Sequence, residues 1–212
     1  MIFKNRREAG IQLAAHLEHL KDKNTIVLAI PRGGLPLGAI VAKTLDAPLD
    51  VVLTKKIGHP KNKEFAIGAV SLNELSIIDS YEVSQEYIKQ EIQKIRKKLQ
   101  RRYYQYYKNL KPLSLEQKIV IIVDDGIATG NTMMATIKLV HNQKPHSIVV
   151  AVPVAPTSVV KKLNSSPFVQ EVICLQASDK FYAVGQFYKE FSTVTDEMAI
   201  RILEESNKDK IH

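Results

Sequence analysis

Short runs rich in valine and isoleucine recur along the chain, and helix-like segments separate them. These runs occupy residues 25–30, 50–56, 118–125, 147–154 and 169–175. Continuous apolar runs of this length are typical of strands that are buried on both faces. The intervening segments have helix starts near Gly34, Asn131 and Pro156. The pattern therefore predicts an α/β fold, with a Rossmann-like parallel β-sheet flanked by helices.

The pattern changes between about residues 57 and 82. A polar, turn-rich segment comes first, and the apolar runs 66–72 and 75–79 follow it with a turn at Asn73–Glu74. Such alternation predicts two short strands in an inserted hairpin. We interpret the insertion as a flexible lid over a site on the larger sheet.

Residues 84–111 form a third kind of segment, in which apolar residues recur at steps of three and four. This spacing predicts one long amphipathic helix. Nine lysines and arginines lie in the segment against only Glu86 and Glu91, so it carries most of the net charge of +8. A solvated basic face accounts for this charge, and an acidic partner, RNA or a subunit interface is the open alternative.

The composition is that of a globular protein. The chain has 212 residues, of which 45% are hydrophobic, enough to bury the core of a single domain spanning residues 1–212. No apolar run approaches the roughly 20 residues that span a bilayer, so we expect a cytoplasmic protein. The single cysteine, Cys174, excludes an intrachain disulfide and a thiolate metal cluster.

The segment 119–132 carries the most specific chemistry. An apolar run leads into two adjacent carboxylates, Asp124 and Asp125, and a loop of small residues then opens a helix. Free amides at a helix N-terminus bind phosphate, and paired acids can accept hydrogen bonds from vicinal ribose hydroxyls and lie close to Mg²⁺. A Walker loop is excluded, because Gly126 and Gly130 are only four residues apart and Asn131 takes the place of its lysine.

This segment resembles the signature of type I phosphoribosyltransferases, which bind 5-phosphoribosyl-1-pyrophosphate (PRPP). The resemblance implies the fold of that family, including the lid and a small hood built from residues 177–212 and helped by the N-terminal helix. It also implies that the acids contact the ribose hydroxyls and that residues 128–132 hold the 5-phosphate. The PRPP-binding residues are then Asp124, Asp125, Gly126, Ile127, Ala128, Thr129, Gly130, Asn131 and Thr132. Members acting on 6-oxopurines have an aspartate at the place of Ala128, so this chain lacks that proton acceptor.

A second glycine-rich turn lies in the segment 29–38, after the first apolar run. Arg32 precedes Gly33 and Gly34, and an arginine beside such a turn can form paired hydrogen bonds with phosphate oxygens. A tight turn before a helix has the same composition. The family places its pyrophosphate loop here, so the resemblance implies that Arg32 and Gly33 bind pyrophosphate and that the Pro31–Arg32 peptide is cis.

The lid carries a basic cluster. Lys55 and Lys56 are followed by His59, Lys61 and Lys63, and a closing basic loop could stabilise the charge of departing pyrophosphate. A solvated basic turn is the alternative. A metal role for His59 is not expected, because no partner lies at ligand spacing.

The segment 177–191 bears on the acceptor. It resembles the hood of hypoxanthine-guanine phosphoribosyltransferases, which implies that Phe181 stacks on a base and that the backbone near Tyr182 contacts the edge of the base. Packing in the core is the alternative for these aromatic residues. The lysine with which that family recognises the purine 6-oxo group is missing, since residues 152–154 are Val-Pro-Val.

The resemblance implies a Mg²⁺-dependent transfer of the 5-phosphoribosyl group from PRPP to a nitrogenous base or related nucleophile, with release of pyrophosphate. The residues assigned to catalysis are Arg32, Lys55, Lys56, Asp124 and Asp125. Asp124 and Asp125 are also the candidates for holding Mg²⁺, directly or through water. A homo-oligomer is expected. The alternative is a non-catalytic sensor of PRPP or a nucleotide that binds RNA or DNA through the helix 84–111.

Overall fold

The computed structural model describes residues 2–72, 74–77, 83–108 and 111–208. In chain order the strands of these ranges are β1 (Thr25–Ala29), β2 (Leu49–Val51), β3 (Lys55–His59), β4 (Asn62–Val70), β5 (Leu75–Ile77), β6 (Ile119–Val123), β7 (Ser147–Pro156) and β8 (Glu171–Ser178). The α-helices are α1 (Arg6–His16), α2 (Gly34–Leu45), α3 (Gln85–Tyr107), α4 (Asn131–His141), α5 (Thr157–Asn164) and α6 (Asp196–Asn207). Short 3₁₀ turns cover Glu18–Leu20 and Val184–Phe187.

The larger sheet has five strands in the order β2-β1-β6-β7-β8, and every neighbouring pair is parallel. Ala29 at the end of β1 pairs with Val51 of β2 and with Val123 of β6. The carboxyl ends of these three strands therefore lie side by side, which is where open α/β sheets bind ligands. The predicted parallel sheet flanked by helices is confirmed.

The core lies on both faces of this sheet, because successive residues of a strand point to opposite sides. Val27 and Ile121 pack in the cluster that also contains residues of α1, α2 and α6. Ile26 and Val120 pack in the cluster on the other face, with residues of α4 and α5. Burial on both faces explains why these strands have no polar alternation.

A second, antiparallel sheet has the order β3-β4-β5, and α3 packs against it through buried isoleucines and Leu99. The run predicted as one strand over 50–56 is divided, since β2 ends at Val51 and β3 begins at Lys55 as part of the other sheet. The predicted pair of strands is therefore a three-stranded sheet. Asn73 of the predicted turn lies outside the described residues, as do residues 78–82 of the predicted lid.

The N-terminal and C-terminal segments meet beside the larger sheet. The amide of Phe3 donates to the carbonyl of Phe187 at 2.8 Å, and the amide of Lys189 donates to the carbonyl of Phe3 at 2.8 Å. Thr195 caps α6 by accepting a hydrogen bond from the amide of Met198 at 3.2 Å. Pro156, near which the sequence predicts a helix start, immediately precedes α5 in extended conformation. Within the described ranges, no helix combines the length and apolar composition that crossing a bilayer requires.

Candidate active site

Two carboxylates lie at the carboxyl end of β6, at the middle of the larger sheet. The amide of Asp125 donates to Oδ1 of Asp124 at 2.8 Å, and both residues are half-buried. Burial, followed by the neighbouring charge of Asp125, raises the pKa of Asp124 well above its ordinary value. We call Asp124 and Asp125 the acidic pair.

Arg6 of α1 holds one member of the acidic pair. Its Nε and one terminal nitrogen lie 2.9 Å and 2.8 Å from Oδ2 of Asp125, and its other terminal nitrogen donates to the carbonyl of Ser192 at 2.6 Å. The guanidinium stacks on the ring of Phe191 at 3.9 Å from the centroid. The exposed fractions of the Arg6 and Asp125 side chains are only 11% and 14%, so this ion pair is weakly screened. Its charge also lowers the pKa of Asp124.

The sequence gives no local signal for this role of Arg6. The residue is one of two adjacent arginines at the start of α1, and it lies 119 positions before Asp125. Only the packing of the N-terminal helix against the sheet brings its guanidinium to the acidic pair.

The loop between β6 and α4 presents its backbone to solvent. The amide of Ile127 donates to the carbonyl of Val154 at 2.9 Å, which anchors the start of the loop. Ala128 and Thr129 are exposed, and within the part of the chain that the structure describes their amides donate to no protein acceptor. Gly130 has φ of 74°, a left-handed conformation that favours glycine, and its Cβ position would lie 2.9 Å from Val159. The loop thus offers unbonded amides at the start of a helix, which suits an anion.

The loop between β1 and α2 lies directly against the acidic pair. A Cβ atom at Gly33 would lie 2.0 Å from Oδ2 of Asp125, and one at Gly34 would lie 2.6 Å from the carbonyl oxygen of Val123. The two glycines therefore permit a contact between the loops that no other residue would allow. The Pro31–Arg32 peptide is cis, as the resemblance implies.

Arg32 lies at the junction of this loop with α3 and α6. One of its terminal nitrogens is 3.5 Å from Oδ2 of Asp196, and the hydroxyl of Tyr106 donates to Oδ1 of the same carboxylate at 3.0 Å. The Arg32 side chain is 39% exposed. Its guanidinium therefore faces an accessible surface beside Gly33, and among the described residues its one ion pair is this long contact with Asp196.

The sequence matches the model of the Phosphoribosyl transferase domain over residues 4–188. The chain belongs to the phosphoribosyltransferase family. Two Mycobacterium tuberculosis proteins, from strains CDC 1551 and H37Rv, are 34% identical over 98% of this chain, and their assigned names give phosphoribosyl transferase as a provisional activity. The alignment covers 48% of their length, so the chain spans about half of these curated relatives.

Two solved structures resemble this chain in fold. TT1426 from Thermus thermophilus is 38% identical, with a TM-score of 0.89 over 97% of this chain and 99% of that chain. The AQ2163 protein of Aquifex aeolicus is 15% identical, with a TM-score of 0.50 over 84% of this chain and 77% of that chain, which shows a shared fold alone. The match to the family over residues 4–188, together with the five-stranded parallel sheet flanked by helices, confirms the type I phosphoribosyltransferase fold predicted from the segment 119–132.

The lysines that we assigned to catalysis in this family member lie on the smaller sheet. Lys55 and Lys56 belong to β3 and line a concavity against α3. His59 accepts a hydrogen bond from the amide of Lys61 at 3.2 Å through Nδ1. Within the described residues, no group of three or more histidine, cysteine or acidic side chains could hold a metal ion. The catalytic role of Lys55 and Lys56 stays a prediction.

The two residues that we assigned to the base differ in their surroundings. Phe181 packs against the core, with its ring 5.1 Å from that of Phe187. Tyr182 is 89% exposed, and its amide donates to Oε1 of Gln186 at 2.8 Å. That amide is therefore engaged within the protein, while the ring of Tyr182 is accessible to a ligand.

Proposed function

We propose that this family member transfers the 5-phosphoribosyl group of PRPP to a nitrogenous base or related nucleophile and releases pyrophosphate in the cytoplasm. The contact between the two loops carries the proposal. It joins an acidic pair, the unbonded amides of Ala128 and Thr129, and the Arg32–Gly33 turn at one edge of the sheet. Each part has the chemistry to bind one portion of PRPP.

The loop between β6 and α4 would bind the 5-phosphate. The unbonded amides of Ala128 and Thr129, with the hydroxyls of Thr129 and Thr132, offer several donors at the start of α4, whose dipole favours negative charge. The acidic pair lies immediately before this loop and would accept hydrogen bonds from the ribose hydroxyls. The sugar phosphate would thus be held at both ends.

Arg32 and Gly33 would bind the pyrophosphate. In this reaction the bond between ribose C1 and the pyrophosphate oxygen breaks, the acceptor nitrogen bonds to C1, and the electron pair leaves with the pyrophosphate. Negative charge therefore accumulates on the leaving group, where a guanidinium stabilises it. Catalysis would come from this charge and from positioning, with Lys55 and Lys56 as the further cations.

The acidic pair fits a Mg²⁺ ion that arrives with the substrate. Two adjacent carboxylates are hard oxygen donors, and Mg²⁺ is commonly held by one or two carboxylates together with substrate phosphates. Because the described residues contain no larger cluster of metal ligands, substrate oxygens and water would complete the coordination. When bound, Mg²⁺ would offset the negative charge of the pyrophosphate.

The acceptor should differ from a 6-oxopurine. Ala128 supplies no proton acceptor, and Val152 and Val154 are fully buried where the family's purine-recognising lysine would be expected. Phe181 and Tyr182 remain our candidates for stacking on the base and contacting its edge. A ring that reacts through nitrogen without losing a proton to the protein would suit these residues.

The test is pyrophosphate release from PRPP and Mg²⁺ with a panel of purine, pyrimidine and other nitrogen heterocycles. Release that depends on one acceptor and is lost in Asp125→Asn supports the proposal. Exposed cations along α3 favour the alternative of a regulator. PRPP binding without turnover for any acceptor, together with salt-sensitive RNA binding, would support that regulator and contradict the enzyme.

A further inference from the structure

A chain of polar contacts joins Arg32 to α6 and α3. Asp196 is the first residue of α6, and its Oδ2 lies 3.5 Å from a terminal nitrogen of Arg32. The other oxygen of this carboxylate accepts a hydrogen bond from the hydroxyl of Tyr106 at 3.0 Å. The turn before α2, the end of α3 and the start of α6 are distant in sequence and therefore meet at one carboxylate. We call Tyr106 and Asp196 the supporting pair.

The supporting pair has little freedom to move. Tyr106 is only 1% exposed, so close packing in the core fixes its ring. Burial, followed by the hydrogen bond to Asp196, raises the pKa of Tyr106, so its hydroxyl remains a donor at neutral pH. The backbone of Asp196 is fixed by the capped start of α6, where Thr195 accepts from the amide of Met198. The carboxylate thus has a defined position beside Arg32.

Arg32 itself has a long and partly exposed side chain. Its contact with Asp196 joins groups that are 39% and 34% exposed, so it should contribute little to the stability of the fold. The contact does restrict the rotamers of the arginine. A side chain that is already ordered loses less conformational entropy when it binds a ligand. Since a guanidinium has several N–H donors and this contact engages one terminal nitrogen, the same group can also contact a phosphate.

The charge of Asp196 and its ordering of Arg32 have opposite effects on anion binding. A carboxylate repels a nearby phosphate, so its charge alone would weaken binding. Ordering of the guanidinium would strengthen binding. Because Asp196 is partly exposed, solvent and salt screen the repulsion, whereas the ordering acts through direct contact. We therefore expect the ordering to have the larger effect.

We propose that Asp196 is a positioning residue, which Tyr106 fixes and which orients the guanidinium of Arg32 for the pyrophosphate group of the substrate. This inference rests on the proposed transferase function, because it requires that Arg32 binds pyrophosphate. The supporting pair lies outside the loops 29–38 and 119–132, and it would act on the substrate only through Arg32.

The experiment is calorimetric titration of the full chain with inorganic pyrophosphate and Mg²⁺, and in parallel with ribose 5-phosphate. The variant is Asp196→Asn, which keeps the size of the side chain and removes its charge. The matched control is Glu197→Gln, which removes the same charge from the next residue in the first turn of α6, at an exposed position. Tyr106→Phe removes only the hydroxyl that fixes Asp196. Each change is also made together with Arg32→Ala, which completes a double-mutant cycle.

We expect Asp196→Asn to weaken pyrophosphate binding about threefold to tenfold, which is the cost of ordering one flexible side chain on binding. Glu197→Gln should change this affinity by less than about twofold. Tyr106→Phe should weaken binding as Asp196→Asn does, because the carboxylate is no longer fixed. Together with Arg32→Ala, none of these changes should have a further effect on pyrophosphate affinity. Affinity for ribose 5-phosphate, which lacks the pyrophosphate group, should stay the same throughout.

Three results would overturn the positioning role. Tighter pyrophosphate binding by Asp196→Asn would mean that the carboxylate competes with the ligand. Equal losses of affinity for ribose 5-phosphate, or equal losses with and without Arg32→Ala, would indicate a general structural effect. Unchanged pyrophosphate affinity in Asp196→Asn, with a loss in Arg32→Ala, would remove the role of Asp196 and leave the transferase function standing.

Failure of the proposed function has a different signature. Pyrophosphate would then not bind, or its affinity would be insensitive to Arg32→Ala, and the positioning role would fall with the function. Circular dichroism checks that each variant is folded. If Asp196→Asn does not fold, the cycle of Tyr106→Phe with Arg32→Ala decides the question, and additive losses in that cycle would contradict the inference.

Discussion

Replacing Asp124 with asparagine should stabilise the fold and weaken PRPP binding. In the folded protein, burial and the charge of Asp125 raise the pKa of Asp124, so ionisation of this carboxyl opposes folding at neutral pH. Asparagine resembles the neutral acid. Its oxygen can accept the amide of Asp125, which lies 2.8 Å from Oδ1 of Asp124, and its amide group can donate to the Asp125 carboxylate.

The size of the effect follows from these contacts. Relief of electrostatic strain at a functional site is commonly worth about 0.5–2 kcal/mol. For a chain of this length, a gain of about 0.5–2 kcal/mol raises Tm by about 1–8 °C. PRPP should lose a hydrogen bond to a charged acceptor, worth about 1.5–3 kcal/mol or roughly 10–100-fold in affinity.

The pH dependence gives the sharper test. Because the folded pKa of Asp124 is raised, its contribution to stability is fully present below the ordinary value of 3.8 and is lost as the pH rises through the folded pKa. The difference in Tm between Asp124→Asn and the unaltered protein should therefore grow from pH 4 to pH 8. Thermal unfolding and PRPP titration measure both effects. Glu116→Gln, at an exposed position, is the control for a lost negative charge. A variant less stable at pH 8, or a Tm difference independent of pH, would refute the reasoning.

Three further predictions concern the neighbours of the acidic pair. Arg6→Gln removes a charge that lowers the pKa of Asp124, so Asp124 should ionise at higher pH in this variant. Because PRPP is proposed to bind the ionised carboxylate, the pH at which PRPP affinity rises should also be higher. PRPP titrations at several pH values that show no such displacement would contradict this prediction. Gly33→Ala places a Cβ 2.0 Å from Oδ2 of Asp125, so we expect a loss of about 1–3 kcal/mol in the free energy of unfolding, together with weaker PRPP binding. Urea unfolding measures the first effect, and an unchanged transition would mean that the two loops separate freely. Arg32→Ala should weaken pyrophosphate binding by about 10-fold or more and nucleoside monophosphate binding far less. Calorimetric titration measures both affinities, and equal losses of affinity for the two ligands would contradict the role assigned to Arg32.

The parallel sheet could be predicted because its signal is local. Each strand is buried on both faces, so runs such as residues 119–123 are continuously apolar, and the following glycines and acids mark the carboxyl ends. The smaller sheet was predicted less well. Lys55 and Lys56 end the predicted run 50–56, but β2 stops at Val51, and β3, which begins at Lys55, pairs with β4 in the other sheet. The partner with which a strand pairs depends on tertiary contacts, and the hydrophobic pattern of a single strand carries no information about them.

In the candidate site, too, the features set by local sequence could be predicted, whereas those set by tertiary contacts could not. The two loops could be predicted from their own residues, since glycines and acids after apolar strands indicate phosphate chemistry. Arg6 could not, because its role depends on how the N-terminal helix packs beside Phe191 and Asp125. The contact of Gly33 with Asp125 also required the structure, as it joins loops about 90 residues apart.

The acidic pair is incompletely compensated by the described residues, and this would favour binding of the proposed donor. Of the two acids, Arg6 forms its ion pair with Asp125, and Asp124 keeps a raised pKa despite that charge. A ligand that brings hydroxyl donors and a divalent cation would satisfy both carboxylates at once, so binding would remove a cost that the empty fold carries. Arg6 reduces the free energy cost of holding two neighbouring carboxylates together, but it does not abolish that cost. An arginine bonded to both acids would stabilise the empty site, and it would occupy the oxygens that the ribose needs.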